Sequence, residues 1–389
     1  MAEEQPLIRM MPFRFEGDSL EYFRIWIVNI FLTILTLGIY SAWAKVRTLR
    51  YFYGNTWLDD NSFSYLADPV QILKGRIIAV TALVIYFFTW EIFPQAGFWF
   101  LALGVLLFPA IMVMALSFHM NNSAYRSIRF SFKKDFRKIY MIFISPLAIV
   151  LILTWISYSF LESADFMTEL ENQEEAEFHK EDMLPSIFFM FLMPLLPYLD
   201  YLRTRYIIDQ TQYGKSEARF SAGGWEFYKI YLIAFLLFMA IVIVMSIAGG
   251  AIVALIGIEN GSPEDLGGNI GWITIAIMIG IYVPMFFIYG YIRAVRTNMV
   301  FNNANFGQDT FNSKLKTLPV SWLYLSNAIA IVCSAGLLIP WAAIRMARYV
   351  ADNTEFESRT LDDIHATPES KQSALGEEFG DAFDLDIGL

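Results

Sequence analysis

The chain has 389 residues, of which 56% are hydrophobic and 17% are charged, and its mean hydropathy is +0.46. These values exclude an ordinary soluble multidomain protein and indicate a polytopic membrane protein, because several apolar runs exceed the roughly 20 residues that span a bilayer. The net charge of −10 argues against a nucleic-acid partner, and the single cysteine, Cys333, excludes an internal disulfide.

The first hydrophobic element, residues 22–43, carries basic residues on both flanks. A full span would place one of these flanks outside the cell, against the positive-inside tendency of Lys and Arg. We therefore predict a re-entrant element that bends near residues 36–38, where Gly38 permits a turn, and that enters and leaves on the cytoplasmic side. The alternative is an ordinary full span.

Six long apolar runs then predict transmembrane helices. The segments between them alternate in charge, and residues 162–182 hold nine acidic residues and one lysine. The positive-inside rule places that loop outside and both termini in the cytoplasm. The predicted spans are residues 77–94, 97–118, 139–161, 184–202, 226–256 and 270–292.

The last hydrophobic element, residues 320–342, repeats the first one. At an offset of 298, residues 29–56 and 327–354 share Asn, Gly, Trp, Ala, Arg, Arg, Tyr, Asn and Thr in register. We predict the same kind of re-entrant element, with its bend near 334–336 and basic residues again on both flanks.

A short pattern follows each inward-running element, and it predicts internal repetition. It opens with Asn or Gln, continues through an aromatic residue or leucine, and closes on an apolar residue, which is typical of a strand, a turn and a returning strand. The pattern predicts one membrane domain, residues 1–361, built of five repeats. Their ranges are 13–62, 63–129, 130–219, 220–310 and 311–361.

The two chain ends each hold the half-hairpin that the other lacks. Exposed strand edges promote aggregation, so we predict that residues 13–17 lie beside residues 353–361 and that the twin elements meet or flank the same space. The predicted fold is an all-α polytopic membrane protein with small cytoplasmic β-hairpins. It has six transmembrane helices and two terminal re-entrant or short hydrophobic elements.

Residues 362–389 form an acidic tail with eight acidic residues and one lysine, which predicts a disordered cytoplasmic segment. Its scattered apolar residues favour docking on a protein partner or on the basic loops of the chain itself. The alternative is a solvated tail.

The N-terminal block "FRFEGDSLEYFRIWIVNIFLTILTLGIYSAWAKVRTLRYFYGNTWLDDNSFSY" and the acidic end "SALGEEFGDAFDLDIGL" resemble the YjgN-like bacterial inner-membrane proteins. The resemblance covers essentially the whole chain, and it implies a bacterial cytoplasmic membrane location. The family is a domain of unknown function, so the resemblance implies no substrate.

Catalytic constellations are scarce in the sequence. The three histidines are scattered, no cluster has metal-ligand spacing, and no phosphate-binding glycine loop or nucleophile elbow is present. We therefore predict no catalytic residue, no metal and no cofactor, and the sequence favours a protein that is not an enzyme.

The twin elements hold the best candidates for a site that binds a ligand or a lipid headgroup. An asparagine in an apolar segment needs a hydrogen-bond partner, and it either joins two helices or lines a polar path. The tryptophans are typical of interfacial anchors, and the arginines match phosphate, although positive-inside charge explains them equally well. The candidates are Asn29, Trp43, Arg47, Arg50, Asn327, Trp341, Arg345 and Arg348.

Glu91 is an acid near the outer end of a predicted span, so it is a candidate for ion coupling, although ordinary solvation also accounts for it. Repeats and re-entrant elements are typical of transporters. The sequence thus favours a transporter or channel-like protein for a small or amphiphilic solute, such as a lipid. The alternative is a membrane scaffold or regulatory partner that uses the cytoplasmic hairpins for docking.

Overall fold

The computed structural model describes residues 9–169, 184–260 and 263–358. The predicted tail at 362–389 and the larger part of the acidic loop at 162–182 lie outside the described residues. The described helices are α1 (Ser19–Leu35), α2 (Ser41–Asn55), α3 (Pro69–Ile92), α4 (Pro94–Asn122), α5 (Phe136–Glu169), α6 (Leu184–Gln210), α7 (Gly224–Asn260), α8 (Pro263–Asn302), α9 (Thr317–Cys333) and α10 (Ile339–Asp352). The described strands are β1 (Arg9–Phe15), β2 (Thr56–Leu58), β3 (Asn61–Tyr65), β4 (Ser123–Tyr125), β5 (Ile128–Phe132), β6 (Thr211–Tyr213), β7 (Ser216–Phe220), β8 (Ala304–Phe306), β9 (Asp309–Ser313) and β10 (Thr354–Ser358).

Six of the described helices, α3 to α8, are long and apolar enough to cross a membrane, which confirms the six predicted spans. The helices extend past the apolar runs; α6, predicted over 184–202, continues to Gln210. The added turns of α6 mix charged and polar residues with the buried Tyr206 and Ile207, and the helix ends where β6 begins. Hydropathy therefore locates the membrane part of each helix and misses its polar end.

The prediction of an all-α protein is wrong, because the segments next to the helices form antiparallel sheets. The described residues divide into two compact units: the first comprises those up to Tyr65 and from Phe220 onward, and the second runs from Leu66 to Arg219. The strand order is β3-β2-β1-β10-β9-β8 in the first unit and β4-β5-β6-β7 in the second. A lone hairpin is marginally stable in water, so short strands gain their stability from neighbouring hairpins.

The first and last strands pair, as the sequence predicts for the two chain ends. β1 and β10 are antiparallel, with Pro12 opposite Glu355. The pairing residues of β1 are 9–12 rather than the predicted 13–17, because residues 13–15 pair with β2. β1 therefore has a neighbour along each part of its length and protects the end of β10.

One hydrogen bond recurs at five junctions between strands and helices. In each case the residue that follows a strand donates its N–H to the carbonyl of the Asn or Gln that ends the next pair of helices, at 2.8–3.0 Å. Each helix pair therefore begins and ends at the same strand junction. The five bonds are Glu16–Asn55, Leu66–Asn122, Lys133–Gln210, Ser221–Asn303 and Lys314–Asn353.

Candidate functional site in the terminal helical hairpins

Two helical hairpins of the first unit contain all of the predicted site residues except Glu91. The N-terminal hairpin consists of α1, a turn at residues 36–40 and α2; the C-terminal hairpin consists of α9, a turn at residues 334–338 and α10. An α-helix of 17 residues, the length of α1 and of α9, is about 26 Å long. Each hairpin thus reaches less far than the roughly 30 Å hydrocarbon core and returns to the junction where it began.

The two turns have the same backbone conformation. Gly38 and Gly336 both have a φ of 91°, and Leu37 and Ala335 before them have φ values of 51° and 49°. The N–H of each glycine donates to the carbonyl five residues earlier at 2.8 Å. Because a φ of 91° is accessible to glycine and strained for other residues, glycine is required at this point of both turns.

Each hairpin buries one asparagine between its two helices. Asn29 is 5% exposed and Asn327 is 7% exposed. Their Nδ2 groups donate to the carbonyls of Ala44 and Ala342, at 3.4 Å in both hairpins. A bond between helices therefore accounts for Nδ2 of both amides, whereas the two Oδ1 atoms have different surroundings.

In the C-terminal hairpin, three of the predicted residues form one cluster. Nη1 of Arg345 donates to Oδ1 of Asn327 at 3.1 Å and to Oγ of Ser326 at 2.6 Å. The guanidinium also lies over the ring of Trp341, 5.1 Å from its centroid. The sequence did not indicate Ser326, whose one signal was its position next to Asn327. The cation is thus held inside the hairpin by two acceptors and an aromatic face.

In the N-terminal hairpin, the corresponding residues do not come together. Oδ1 of Asn29 is buried without a hydrogen-bond donor, and the side chain of Arg47 is exposed. Within the described part of the chain, Arg47 makes no hydrogen bond or ion pair, and no Lys or Arg lies over the ring of Trp43. Trp43 stacks on Tyr40 instead, with 6.3 Å between the ring centroids.

Both tryptophans lie next to the hairpin turns. Trp43 is in the first turn of α2 and Trp341 is in the first turn of α10, directly after the hairpin turns. The sequence-based interpretation assumed that each element leaves the membrane at its tryptophan. The returning helices continue to Asn55 and Asp352, so each tryptophan lies near the hairpin tip, and the anchor role stays a prediction.

The two remaining arginines donate to backbone carbonyls. Nη2 of Arg348 bonds to the Gly17 oxygen at 2.9 Å, and Nε of Arg50 bonds to the Tyr65 oxygen at 3.3 Å. The Arg348 bond joins the C-terminal hairpin to the segment that leads into α1, and α10 packs on α1. The twin elements therefore meet, as the sequence predicts.

A polar cluster at the start of α1 was not predicted. Asp18 caps the helix, and the hydrogen bonds that it accepts from the N–H groups of Glu21 and Leu20 lower the pKa of its carboxyl. The Tyr51 hydroxyl donates to the Asp18 carbonyl at 2.9 Å, and burial raises the pKa of Tyr51 to about 12. The available signal was Asp18 followed three residues later by Glu21, which is close to a capping-box pattern.

An apolar cavity of about 520 Å³ lies along α7, α8 and the start of α9. Its lining includes Val244, Phe287 and Leu318, and α9 also contributes the polar residues Thr317 and Ser321. α8 and α9 are in close contact there, because a Cβ at Gly290 would lie 2.5 Å from the Cα of Ser321. The volume is in the range of small-molecule pockets, and the apolar lining suits a hydrocarbon chain.

Glu91 lies in the last turn of α3, in the second unit, and its side chain is exposed. Its surroundings do not test ion coupling, which stays a prediction. Across residues 9–169, 184–260 and 263–358, no group of three or more His, Cys, Asp and Glu side chains is placed to hold a metal ion.

Comparisons with known proteins give one family. The family model described as "Bacterial protein of unknown function (DUF898)" matches residues 10–382. The chain is 23% identical over 376 residues to "Inner membrane protein YjgN" of Salmonella typhimurium, which covers 92% of this chain and 91% of that protein. It is 28% identical over 137 residues to the protein of that name from Escherichia coli O157:H7, or 33% of each chain. No solved structure matches.

Proposed function

The chain belongs to the bacterial DUF898 family, and we propose that it is a multi-pass inner-membrane protein that transports an amphiphilic solute. The inner-membrane location is supported by the names of its relatives and by the six membrane-length helices. The solute class is supported by the terminal hairpins, and a phospholipid fits them best. Both termini are in the cytoplasm in this proposal.

The observation that carries the proposal is the polar cluster inside the terminal hairpins. Asn29, Asn327 and Arg345 lie in the helices of the two terminal hairpins, which in this proposal reach into the membrane and return. Ionisable and polar groups at membrane depth are costly and mark substrate pathways, and interrupted helices frame the central site of many transporters. A phospholipid has a polar head for the oxygen of Asn29, which has no donor, and acyl chains for the apolar cavity beside α9.

We also propose that the five helix pairs are internal repeats. The support is the recurrent bond between strand and helix end, at five places marked by Asn or Gln. At these places the Asn side chain also donates its Nδ2 to the carbonyl four residues earlier, at 2.8 Å for both Asn122 and Asn353. Alanine at either position keeps the backbone bond and removes this second one, so it should lower the free energy of unfolding by a similar amount, about 1 kcal/mol. A large difference between the two would argue against equivalent repeats.

The sidedness is tested by cysteine labelling in a Cys333→Ser background. Cysteines introduced at Ser19 and Asn55 should react with an impermeant reagent only from the cytoplasmic face, because the N-terminal hairpin begins and ends at one junction. Labelling of the two positions from opposite faces would contradict the re-entrant arrangement.

Transport is tested with the purified protein in vesicles of bacterial lipids. A fluorescent phospholipid in the inner leaflet is protected from a membrane-impermeant reductant. Loss of its fluorescence therefore measures movement of the lipid to the outer leaflet. We expect wild type to accelerate that loss and Asn29→Leu to reduce it. Lys229→Gln is the matched control, since Lys229 pairs with Glu226 on α7 at 2.9 Å, outside the hairpins.

A rate equal to that of protein-free vesicles, for the lipid and for small fluorescent solutes, would refute transport. The scaffold role of the sheets is the candidate that would then remain. A rate that is unaffected by Asn29→Leu would refute the assignment of the site to the hairpins.

A further inference from the structure

The two terminal hairpins share one arrangement of a buried asparagine and a tryptophan, and only the C-terminal hairpin places its own arginine between them. In the C-terminal hairpin, the guanidinium of Arg345 fills the space between the Asn327 amide oxygen and the Trp341 ring. In the N-terminal hairpin the equivalent oxygen, on Asn29, is buried without a donor, although the turn and the bond to Ala44 match the other hairpin. A buried oxygen without a donor costs free energy, so this position is prepared for a partner.

Arg47 is poorly suited to fill that space in the way that Arg345 does. Arg345 has two side-chain acceptors, and the position of the second, Ser326, is occupied by Val28 in the N-terminal hairpin. A guanidinium has five N–H donors, so an inward-turned Arg47 would find one side-chain acceptor and leave the others unsatisfied. Arg47 therefore stays at the surface, where it is available to an anion.

We infer that the N-terminal hairpin binds a phospholipid whose headgroup carries a primary ammonium. The ammonium donates to Oδ1 of Asn29 and lies against the face of Trp43, which are the two kinds of contact that Arg345 makes in the other hairpin. The phosphate of the same headgroup binds the exposed Arg47, whose planar fork matches phosphate oxygens. Asn29 is about 15 Å along α1 from Ser19, so the bound headgroup lies beneath the membrane surface.

Such a site distinguishes headgroups by two criteria. A choline headgroup has the positive charge that Trp43 attracts, but it has no N–H to donate to Asn29. A glycerol headgroup has hydroxyl donors for Asn29, but it lacks the positive charge. A primary ammonium satisfies both, and one charge-assisted hydrogen bond corresponds to a preference of about tenfold in affinity.

This inference rests on the proposed function for the choice of a lipid as ligand, but its test measures binding instead of transport. The purified full-length protein in detergent is mixed with equal amounts of phosphatidylethanolamine, phosphatidylglycerol and phosphatidylcholine with identical acyl chains. Native mass spectrometry then counts the bound lipids. We expect wild type to prefer phosphatidylethanolamine about tenfold. Competition by free phosphoethanolamine would assign recognition to the headgroup, and a preference without such competition would assign it to the intact lipid.

Variants separate this site from general lipid adhesion. Asn29→Leu and Trp43→Leu should abolish the preference, and Asn29→Asp should retain it, because a carboxylate still accepts from an ammonium. Asn327→Leu is the matched control and should retain the preference, because its hairpin is filled by Arg345. Equal binding of the three lipids by wild type would overturn the inference, and so would a loss of preference in Asn327→Leu as large as that in Asn29→Leu. A retained preference in a protein that moves no lipid would refute transport and leave this inference standing.

Discussion

Replacing the buried asparagines by leucine should have different consequences in the two hairpins. Asn327→Leu removes the bond from Arg345 at 3.1 Å and the bond to Ala342 at 3.4 Å. Hydrogen bonds between membrane helices average about 0.6 kcal/mol and reach about 1.7 kcal/mol. The bond to the charged guanidinium belongs at the upper end, and the long amide bond belongs near the average. Their joint loss should lower the free energy of unfolding by about 2 kcal/mol.

Asn29→Leu removes only the 3.4 Å bond to Ala44, which corresponds to about 0.6 kcal/mol. It also removes an oxygen that is buried without a donor. Burying such an atom costs about 1–3 kcal/mol, and the leucine variant no longer has that cost. In detergent without added lipid, the net change should therefore be close to zero or stabilising.

The assay is unfolding of the purified variants in detergent micelles by increasing SDS, followed by tryptophan fluorescence. Arg345→Gln and Arg47→Gln complete two double-mutant cycles with the leucine variants. We expect a coupling of about 1–2 kcal/mol between positions 327 and 345, and less than about 0.5 kcal/mol between positions 29 and 47. Equal destabilisation by Asn29→Leu and Asn327→Leu would refute the reasoning, since Asn29 would then have a donor within the protein.

Three further changes test the sheet, the turns and the Tyr51 cluster. Met10→Cys with Glu357→Cys, in a Cys333→Ser background, should form a disulfide on oxidation, because the two residues are opposite each other in β1 and β10. Gly38→Ala should lower the free energy of unfolding by about 1–2 kcal/mol, because its φ of 91° is strained for alanine; SDS unfolding measures this. Burial raises the pKa of Tyr51 from 10.0 to about 12, so its contribution to stability is present below pH 10 and is lost as the pH rises toward 12.

Each of these changes has a matched control. Arg14 is opposite Trp57, so Arg14→Cys with Glu357→Cys should stay reduced, and a disulfide from that pair would contradict the register. Gly54 has open space for a Cβ, so Gly54→Ala should be neutral or stabilising by about 0.5–1 kcal/mol, and a loss as large as that of Gly38→Ala would contradict the turn argument. Tyr51→Phe should flatten the stability profile between pH 10 and 12, and an unchanged slope would exclude Tyr51 as its source.

The six long helices were predictable because a membrane requires long apolar runs. The polar end of α6, from 203 to Gln210, was not predictable in the same way, since hydropathy does not distinguish a polar helical turn from a loop. The offset of 298 located both hairpins, and Gly38 with Gly336 located their turns. The shared backbone of the hairpins was therefore present in the residue pattern.

The sheets were only partly predictable. Local pattern indicates a hairpin such as β2–β3, because a turn signal lies between two short strands. It gives no register between strands that are far apart in the chain, and residues 13–15 fit either β2 or β10. In the structure residues 9–12 pair with β10 and residues 13–15 pair with β2. The sequence therefore predicted that the chain ends pair, but with the wrong residues of β1.

The candidate site shows the same limit at the level of single residues. Residue types identified Asn327, Trp341 and Arg345, and the structure brings these three together. The equivalent residues of the N-terminal hairpin have the same types and do not cluster. The difference between Val28 and Ser326 is visible in the sequence, but its meaning depends on knowing that Arg345 uses Ser326 as its second acceptor.

The asymmetry between the hairpins has a structural consequence for the open one. A hairpin that buries an unsatisfied oxygen is destabilised by it, so it needs support from elsewhere in the fold. The C-terminal hairpin, filled by its own arginine, provides that support: Arg348 holds the backbone at Gly17, and Ile344 and Ala351 share a buried cluster with Tyr22 and Tyr51. Duplication thus gives one copy in which the cation is built in and holds the helices together. The N-terminal hairpin packs on that copy and is stabilised by it. It can therefore leave the equivalent position beside Asn29 open for a cation that belongs to a ligand.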